Sequence, residues 1–258
     1  MPPLSLTSVV TALRAAGCVF AEGEAELILS TARTPDEATA MVDRRVAGLP
    51  LELVLGWAEF AGLRITVEPG VFVPRRRTEF LVEQALATAP RARVVVDLCC
   101  GSGAVGAALA ASLDGAELHA ADIDPVAVRC ARRNLAPYDG HAHVGDLYTA
   151  LPDRLRGRID ILAANVPYVP TSEVPLLPSE ARDHEPLVAL DGGTDGLDVL
   201  RRVAAEAPDW LAPGGCLVVE TSRRQAPLAL DAFRSSGLTA RTAVAEEAHA
   251  HVVIGTRA

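Results

Sequence analysis

The strongest constraint on this chain lies after Pro90, where short apolar runs alternate with segments of helical spacing. Arg93–Leu98, Glu117–Asp122, His141–Gly145, Ile159–Ala164 and Cys216–Glu220 read as strands. Ala104–Leu113, Pro125–Leu135, Leu197–Ala207 and Arg223–Ser235 read as helices. A parallel pair needs a long crossover and a cover for each face, and intervening helices supply both. The alternation therefore predicts an α/β fold around a mostly parallel sheet. Leu238–Val244 and His251–Gly255 are nearly adjacent in sequence, which predicts an antiparallel hairpin.

The chain before this region follows other periods. Within residues 1–58, Val9, Val10, Leu13 and Ala16 fall at helical spacing, Glu24–Ala32 reads as a second helix, and Thr34-Pro35-Asp36-Glu37 reads as a helix start. This small helical domain carries no catalytic cluster and is expected to dock or present a substrate. Leu63–Val67 alternates like a half-buried strand, and Glu68-Pro69-Gly70 turns into Val71-Phe72-Val73, so 59–77 is expected to form a hairpin linker. Thr78 is expected to cap a helix running to about Ala89 and to open the main domain, 78–258.

Composition sets bounds on function. With 258 residues, half of them hydrophobic and 22% charged, the chain can build a sizeable core and is no disordered protein. A formal charge of −9 opposes non-specific attraction to nucleic acid. All 24 basic residues are arginines, so no arginine-specific argument is drawn from their type. Five cysteines, an odd number without C-x-x-C spacing, predict neither a disulfide framework nor a zinc site, and a reducing cytoplasm is expected. Met1-Pro2-Pro3-Leu4 lacks a signal peptide's basic start, and no apolar run is long enough to span a bilayer, so a soluble protein without membrane contact is expected.

Ligands of open parallel sheets bind at the carboxyl ends of the strands. The first such end reads Asp97-Leu98-Cys99-Cys100-Gly101-Ser102-Gly103, small residues that let the backbone approach a ligand at a helix start. It lacks the Gly-Lys-Ser/Thr of a Walker loop. Asp122 closes the second strand about 20 residues on, where an acid can accept both ribose hydroxyls; Asp124 is expected to cap the helix that begins at Pro125. At the third end, Asp146 and Leu147 offer an acceptor and an apolar surface to an adenine ring. The fourth leads into Asn165-Val166-Pro167-Tyr168, where the Asn165 amide and an outward Val166 carbonyl form two adjacent acceptors for a planar NH2 group, with Tyr168 offering a ring to pack against it. His141 and His143 are expected to be exposed or structural.

On these motifs the chain resembles the protein-(glutamine-N5) methyltransferases of the HemK/PrmC type. Further carriers of the resemblance are Gly48-Leu49-Pro50-Leu51 through Gly56, Glu59–Leu63, Val71-Phe72-Val73-Pro74-Arg75 with Thr78-Glu79, Glu185-Pro186, Ala189-Leu190 and Gly192–Leu197. The resemblance implies a Rossmann-like class I methyltransferase domain of seven strands and a helical N-terminal domain. It implies S-adenosylmethionine as methyl donor, S-adenosylhomocysteine as product, and no metal. It implies donor contacts from Asp97, Cys99, Cys100, Gly101, Ser102, Gly103, Asp122, Asp146, Leu147 and Asn165. Asn165, Val166, Pro167 and Tyr168 become the catalytic loop, and with Phe72 the substrate contacts. The implied partner is a protein bearing an exposed glutamine, a peptide-chain release factor or a ribosomal protein. Two departures stand out: Cys99 occupies the loop's first glycine position, where either a negative φ or a slightly displaced donor is expected, and Val166 replaces a proline. The run Arg75–Arg77 reads as a solvated rim.

The expected chemistry is in-line methyl transfer to a glutamine nitrogen, driven by orientation and electrostatic stabilisation rather than a covalent nucleophile. Rival readings are methylation of adenine N6 in a nucleic acid, methylation of a small-molecule nitrogen, and a donor-binding module without catalysis.

Overall fold

The computed structural model describes residues 5–258, so the stretch Met1–Leu4 on which the signal-peptide expectation rests lies outside the described residues. Ser5 opens helix α1 (Leu6–Ala15) with a reciprocal cap: its hydroxyl accepts the Ser8 N–H, and the Ser8 hydroxyl accepts the Ser5 N–H. Helices α2 (Ala21–Thr31), α3 (Pro35–Val46) and α4 (Leu51–Leu55) follow. Thr34 caps α3 by accepting the Glu37 N–H at 3.1 Å, while the Glu37 carboxylate accepts the Arg33 N–H at 2.8 Å. Val9, Leu13, Ile28, Met41 and Val54 close a small core among the four helices. Arg45 ties α3 to α2 through both oxygens of Glu24, at 2.6 and 3.2 Å.

The hairpin differs from the expected one. Its arms are β1 (Trp57–Phe60) and β2 (Leu63–Thr66), paired antiparallel, and Val71–Val73 is not a strand. The turn is Ala61-Gly62, both with positive φ (49° and 73°), the two-residue geometry that suits the twist of a hairpin. An alanine in the first turn position hid it, because Asn-Gly or Asp-Gly is the ordinary signal. Nor is the hairpin a free linker: Phe60 and Ile65 are buried with Leu81 in the core of the sheet domain.

Helix α5 (Glu79–Thr88) follows a turn of 3-10 helix at Arg76–Thr78. Thr78 does not cap it. The residue is already helical (φ −70°, ψ −14°), and its buried hydroxyl has no partner. The sheet domain then runs β3 (Val94–Leu98), α6 (Ala104–Ser112), β4 (Glu117–Asp122), α7 (Pro125–Leu135), β5 (His141–Val144), β6 (Ile159–Ala164), α8 (Ser179–His184), α9 (Asp198–Trp210), β7 (Leu211–Thr221), α10 (Ala226–Ser235), β8 (Thr239–Ala245) and β9 (Ala250–Thr256).

The seven strands lie in the order β5-β4-β3-β6-β7-β9-β8. The pairs from β5 to β7 are parallel, and β9 runs antiparallel to both neighbours, as the terminal hairpin requires. β3 is buried at every position, and its alternate side chains feed two cores: Val95 packs with Leu81, Leu109 and Ile161, and Val96 and Leu98 with Leu162, Trp210 and Val219. Chain order reverses between β3 and β6, which opens a crevice at the carboxyl ends of these strands. Among the described residues no helix is long and apolar enough to cross a membrane.

Candidate active site

Past Leu98 the chain turns sharply into α6. Cys99, Gly101 and Gly103 all have positive φ (54°, 53° and 78°). Of the two alternatives expected at Cys99, the negative φ is the one the structure excludes. The turn is pinned on both sides: Cys100 donates its N–H to the Ala121 carbonyl at 3.1 Å, and Gly103 donates to the Cys100 carbonyl at 2.7 Å. Cys99 must adopt the left-handed conformation between these anchors, at a cost of about 1–2 kcal/mol. Space is also tight at Gly103, since a Cβ there would lie 3.1 Å from the Ala131 Cβ and its neighbour would have to yield.

The acids at the strand ends hold this turn. Asp97 is 1% exposed, and its Oδ2 accepts the Gly106 N–H at 2.9 Å, which fastens β3 to the first turn of α6. Burial, and then the charge of Asp122, push the Asp97 carboxyl up to about 7. Asp122 accepts the Gly101 N–H on Oδ2 and the Asp124 N–H on Oδ1, both at 2.9 Å. Burial raises its pKa, against those two hydrogen bonds. Asp124 caps α7 by accepting the Val126 N–H at 2.7 Å, as expected. Asp146 is paired with Arg202 at 2.6 Å, and Leu147 beside it has φ 49° and is nearly buried.

At the end of β6, Asn165 is held between buried neighbours Ala164 and Val166, and its Oδ1 is buried with no hydrogen-bond partner. The loop that follows is zipped to a later segment: Val169 donates to the Leu190 carbonyl at 3.0 Å, and Gly192 donates to the Val169 carbonyl at 2.8 Å. Gln225 at the start of α10 clamps both segments, donating from Nε2 to the carbonyls of Tyr168 and Asp195, each at 2.9 Å. The Tyr168 hydroxyl accepts from Arg77 at 2.6 Å and lies 3.3 Å from Glu220. Burial, and then the Glu220 carboxylate, push the Tyr168 phenol up to about 12.

One cavity of about 920 Å³ joins these parts. Phe72, Asp97, Cys99, Cys100, Gly101, Ser102, Asp122, Asp146, Leu147, Asn165, Val166, Pro167 and Tyr168 all line it. Gly103 does not; it turns the chain into α6 behind the wall. The Phe72 ring also carries the Arg75 guanidinium, 4.9 Å from its centroid.

The arginine run is only partly a solvated rim. Arg76 is 81% exposed, 3.8 Å from Glu59, and behaves as expected. Arg75 and Arg77 instead reach carboxylates that the protein buries, Glu185 at 2.5 Å and Glu220 at 3.0 Å. A buried carboxylate requires a partner, and these arginines are the cations within reach. Glu220 was legible in principle, because it closes an apolar strand as Asp122 does. Gln225 carried no comparable signal. His143 and the buried His119 bond ring to ring at 3.0 Å, and neither they nor His141 line the cavity. Among the described residues no group of three or more His, Cys, Asp or Glu has a metal-holding arrangement.

Comparison with known proteins agrees with this architecture. Residues 62–175 match the family described as methyltransferase small domain. A release factor glutamine methyltransferase of Geobacter sulfurreducens is 40% identical over 208 residues, covering 79% of this chain and 72% of the relative. One from Streptomyces coelicolor is 41% identical over 189 residues, covering 72% of this chain and 67% of the relative. Among solved structures, a methyltransferase from Pyrococcus furiosus superposes with a TM-score of 0.56 at 18% identity, over 76% of this chain and 89% of its own, a likeness of fold alone.

Proposed function

The chain belongs to the release factor glutamine methyltransferase family, and on that premise we propose that it methylates the side-chain nitrogen of a glutamine in a peptide-chain release factor, with S-adenosylmethionine as donor. One observation carries the reading. Asn165 holds a buried amide oxygen, unpaired, in the wall of the cavity. An unsatisfied buried acceptor costs about 1–3 kcal/mol, and an incoming N–H removes that cost. A primary amide brings two N–H bonds in one plane; Asn165 takes one and the Val166 carbonyl the other.

The donor half of the cavity fits a cationic adenosine compound. Its lining holds three arginines, and each is matched: Arg75 by Glu185, Arg77 by Glu220, Arg202 by Asp146. Asp122 and Asp124 remain without a cation, and Asp97 joins them where it is ionised, so the wall favours positive charge. Asp122 keeps lone pairs for ribose hydroxyls, and Asp146 with Leu147 meets the adenine. When bound, S-adenosylmethionine supplies an electrophilic methyl group on its sulfonium.

The protein's own part is orientation. An amide nitrogen is a poor nucleophile because its lone pair is delocalised over the carbonyl. Fixing both N–H bonds fixes the amide plane, so the nitrogen can attack only along its perpendicular, and the two acceptors stabilise the positive charge that grows on those hydrogens. The proton can leave after transfer, so no general base is assigned.

The helical unit within residues 1–58 would present the release factor. In support, Arg45 of α3 reaches Glu180 of α8 at 3.0 Å, and Glu180 lines the cavity. A net charge of −9 favours a protein acceptor over nucleic acid. The enzyme would work in a reducing cytoplasm, where its free cysteines stay thiols. The test is methyl transfer from labelled S-adenosylmethionine to purified release factor, ribosomal proteins, RNA and DNA, followed by peptide mapping. Label confined to one release-factor glutamine is expected; label in nucleic acid, or none, overturns the reading.

A further inference from the structure

Glu220 is a buried carboxylate for which methyl transfer, as described above, has no use. It is 2% exposed, and it stands at the carboxyl end of β7, the strand that pairs with β6. The register places Ala164 opposite Val219, so the next residues along the two strands are Asn165 and Glu220. Oε1 of Glu220 accepts from Arg77 Nε at 3.0 Å, and Oε2 has no partner. Arg77 also donates through Nη2 to the Tyr168 hydroxyl at 2.6 Å.

The proton bookkeeping of this triad has one solution. A guanidinium only donates, so the Tyr168 oxygen accepts from Arg77 and its own hydrogen goes to Glu220. The phenol is thereby committed on both sides, and its ring is fixed in the cavity wall. The charge has a consequence too. Arg77 lines the same cavity as the donor loop, and its cation would repel a positively charged ligand. Glu220 pairs with Arg77, does not line the cavity, and cancels that charge without occupying ligand space.

We propose that Glu220 is a positioning residue that sets Tyr168 through Arg77 and neutralises Arg77, so that the cavity accepts a cationic donor in preference to its neutral product. The inference rests on the methyl-transfer reading for the identity of that donor. S-adenosylmethionine carries a sulfonium charge, whereas S-adenosylhomocysteine has a neutral thioether in its place. The two ligands differ by one methyl group and one charge, so their relative affinity reports on the potential in the cavity.

The experiment is calorimetric titration of both compounds into the full chain and its variants at alkaline pH, with unfolding midpoints as a control. Glu220→Gln keeps an acceptor for Arg77 and Tyr168 but removes the countercharge. It is expected to weaken S-adenosylmethionine relative to S-adenosylhomocysteine by about three- to tenfold. Adding Arg77→Gln to Glu220→Gln should restore the wild-type ratio, because the effect runs through Arg77. Arg77→Gln alone leaves the carboxylate uncancelled and should shift the ratio toward S-adenosylmethionine; it carries the test if Glu220→Gln does not fold. A purely structural role would weaken both compounds alike. An unchanged ratio in folded Glu220→Gln, a shift that persists in the double variant, or a shift away from S-adenosylmethionine in Arg77→Gln overturns the proposal. Failure of the wild-type protein to bind either compound overturns the functional reading instead.

Discussion

Gly101 donates its backbone N–H to Oδ2 of Asp122 at 2.9 Å, so the loop after β3 and the acid that closes β4 form one unit. Asp122 thus shapes the loop, and in the function proposed above it also faces the ribose. Asp122→Ala is expected to weaken S-adenosylmethionine binding by about 1.5–3 kcal/mol, the range for hydrogen bonds to a charged acceptor. Asp122→Asn retains a carbonyl oxygen for Gly101 and should lose less. Unchanged affinity of Asp122→Ala by calorimetry would remove Asp122 from the ribose role.

Cys99 stores strain that a glycine would not. Its φ of 54° lies in the left-handed region, where a Cβ costs about 1–2 kcal/mol. Cys99→Ala keeps the Cβ and deletes the thiol; Cys99→Gly deletes both. The glycine variant is expected to be the more stable of the two by about 1 kcal/mol, the reverse of the order within a helix. Chemical denaturation of the pair measures the difference, and an alanine variant equal to or more stable than the glycine variant would refute the strain.

The histidines of β4 and β5 should make stability fall in mild acid. Burial holds the His119 ring below its ordinary pKa against the pull of Glu117, and burial followed by the charge of His119 lowers His143. Both rings therefore hold a proton less readily in the native state than in the unfolded chain, which takes up protons near 6.5. Their contribution is complete above about 6.5 and is lost as pH falls toward the native pKa values, by about 1 kcal/mol per pH unit per group. Asp97 works in the other direction: raised to about 7, it contributes stability at low pH that disappears as pH rises through that value. Comparing wild type with His119→Gln between mildly acidic and neutral pH isolates the histidine part. The variant should have the flatter profile, and parallel profiles would contradict the assignment.

Much of this architecture is legible in the sequence because local and global signals agree. Asp124 and Pro125 mark the start of α7, and Glu117–Asp122 and Ile159–Ala164 are strands over the lengths their apolar runs suggest. Legibility fails where a residue's role depends on a partner distant in the chain. Arg77 looks like part of a charged rim until β7 brings Glu220 to it across 143 positions. Thr78 has the chemistry of a cap, but the 3-10 turn before it makes its backbone already helical. Ala61 adopts a conformation that alanine seldom signals, so the sequence marks Glu68-Pro69-Gly70 as the turn while the chain reverses at Ala61-Gly62.

Asn165 offers the sharpest test, since it separates activity from stability. Its Oδ1 is buried and unpaired, so the folded protein already bears the cost of desolvating it. Asn165→Ala removes that cost along with the side chain, and the unfolding midpoint should stay level or rise. The same change deletes one of the two acceptors proposed for the substrate amide and should lower turnover by about 10²–10³, the loss seen when one preorganised hydrogen-bonding group is taken from a transition state. Tyr168→Phe makes a useful contrast: it breaks the links to Arg77 and Glu220 but keeps the ring, so stability should fall while turnover drops less. Turnover with the release factor, measured beside midpoints for both variants, gives the comparison. A normally folded Asn165→Ala enzyme with full activity would end the amide-clamp mechanism.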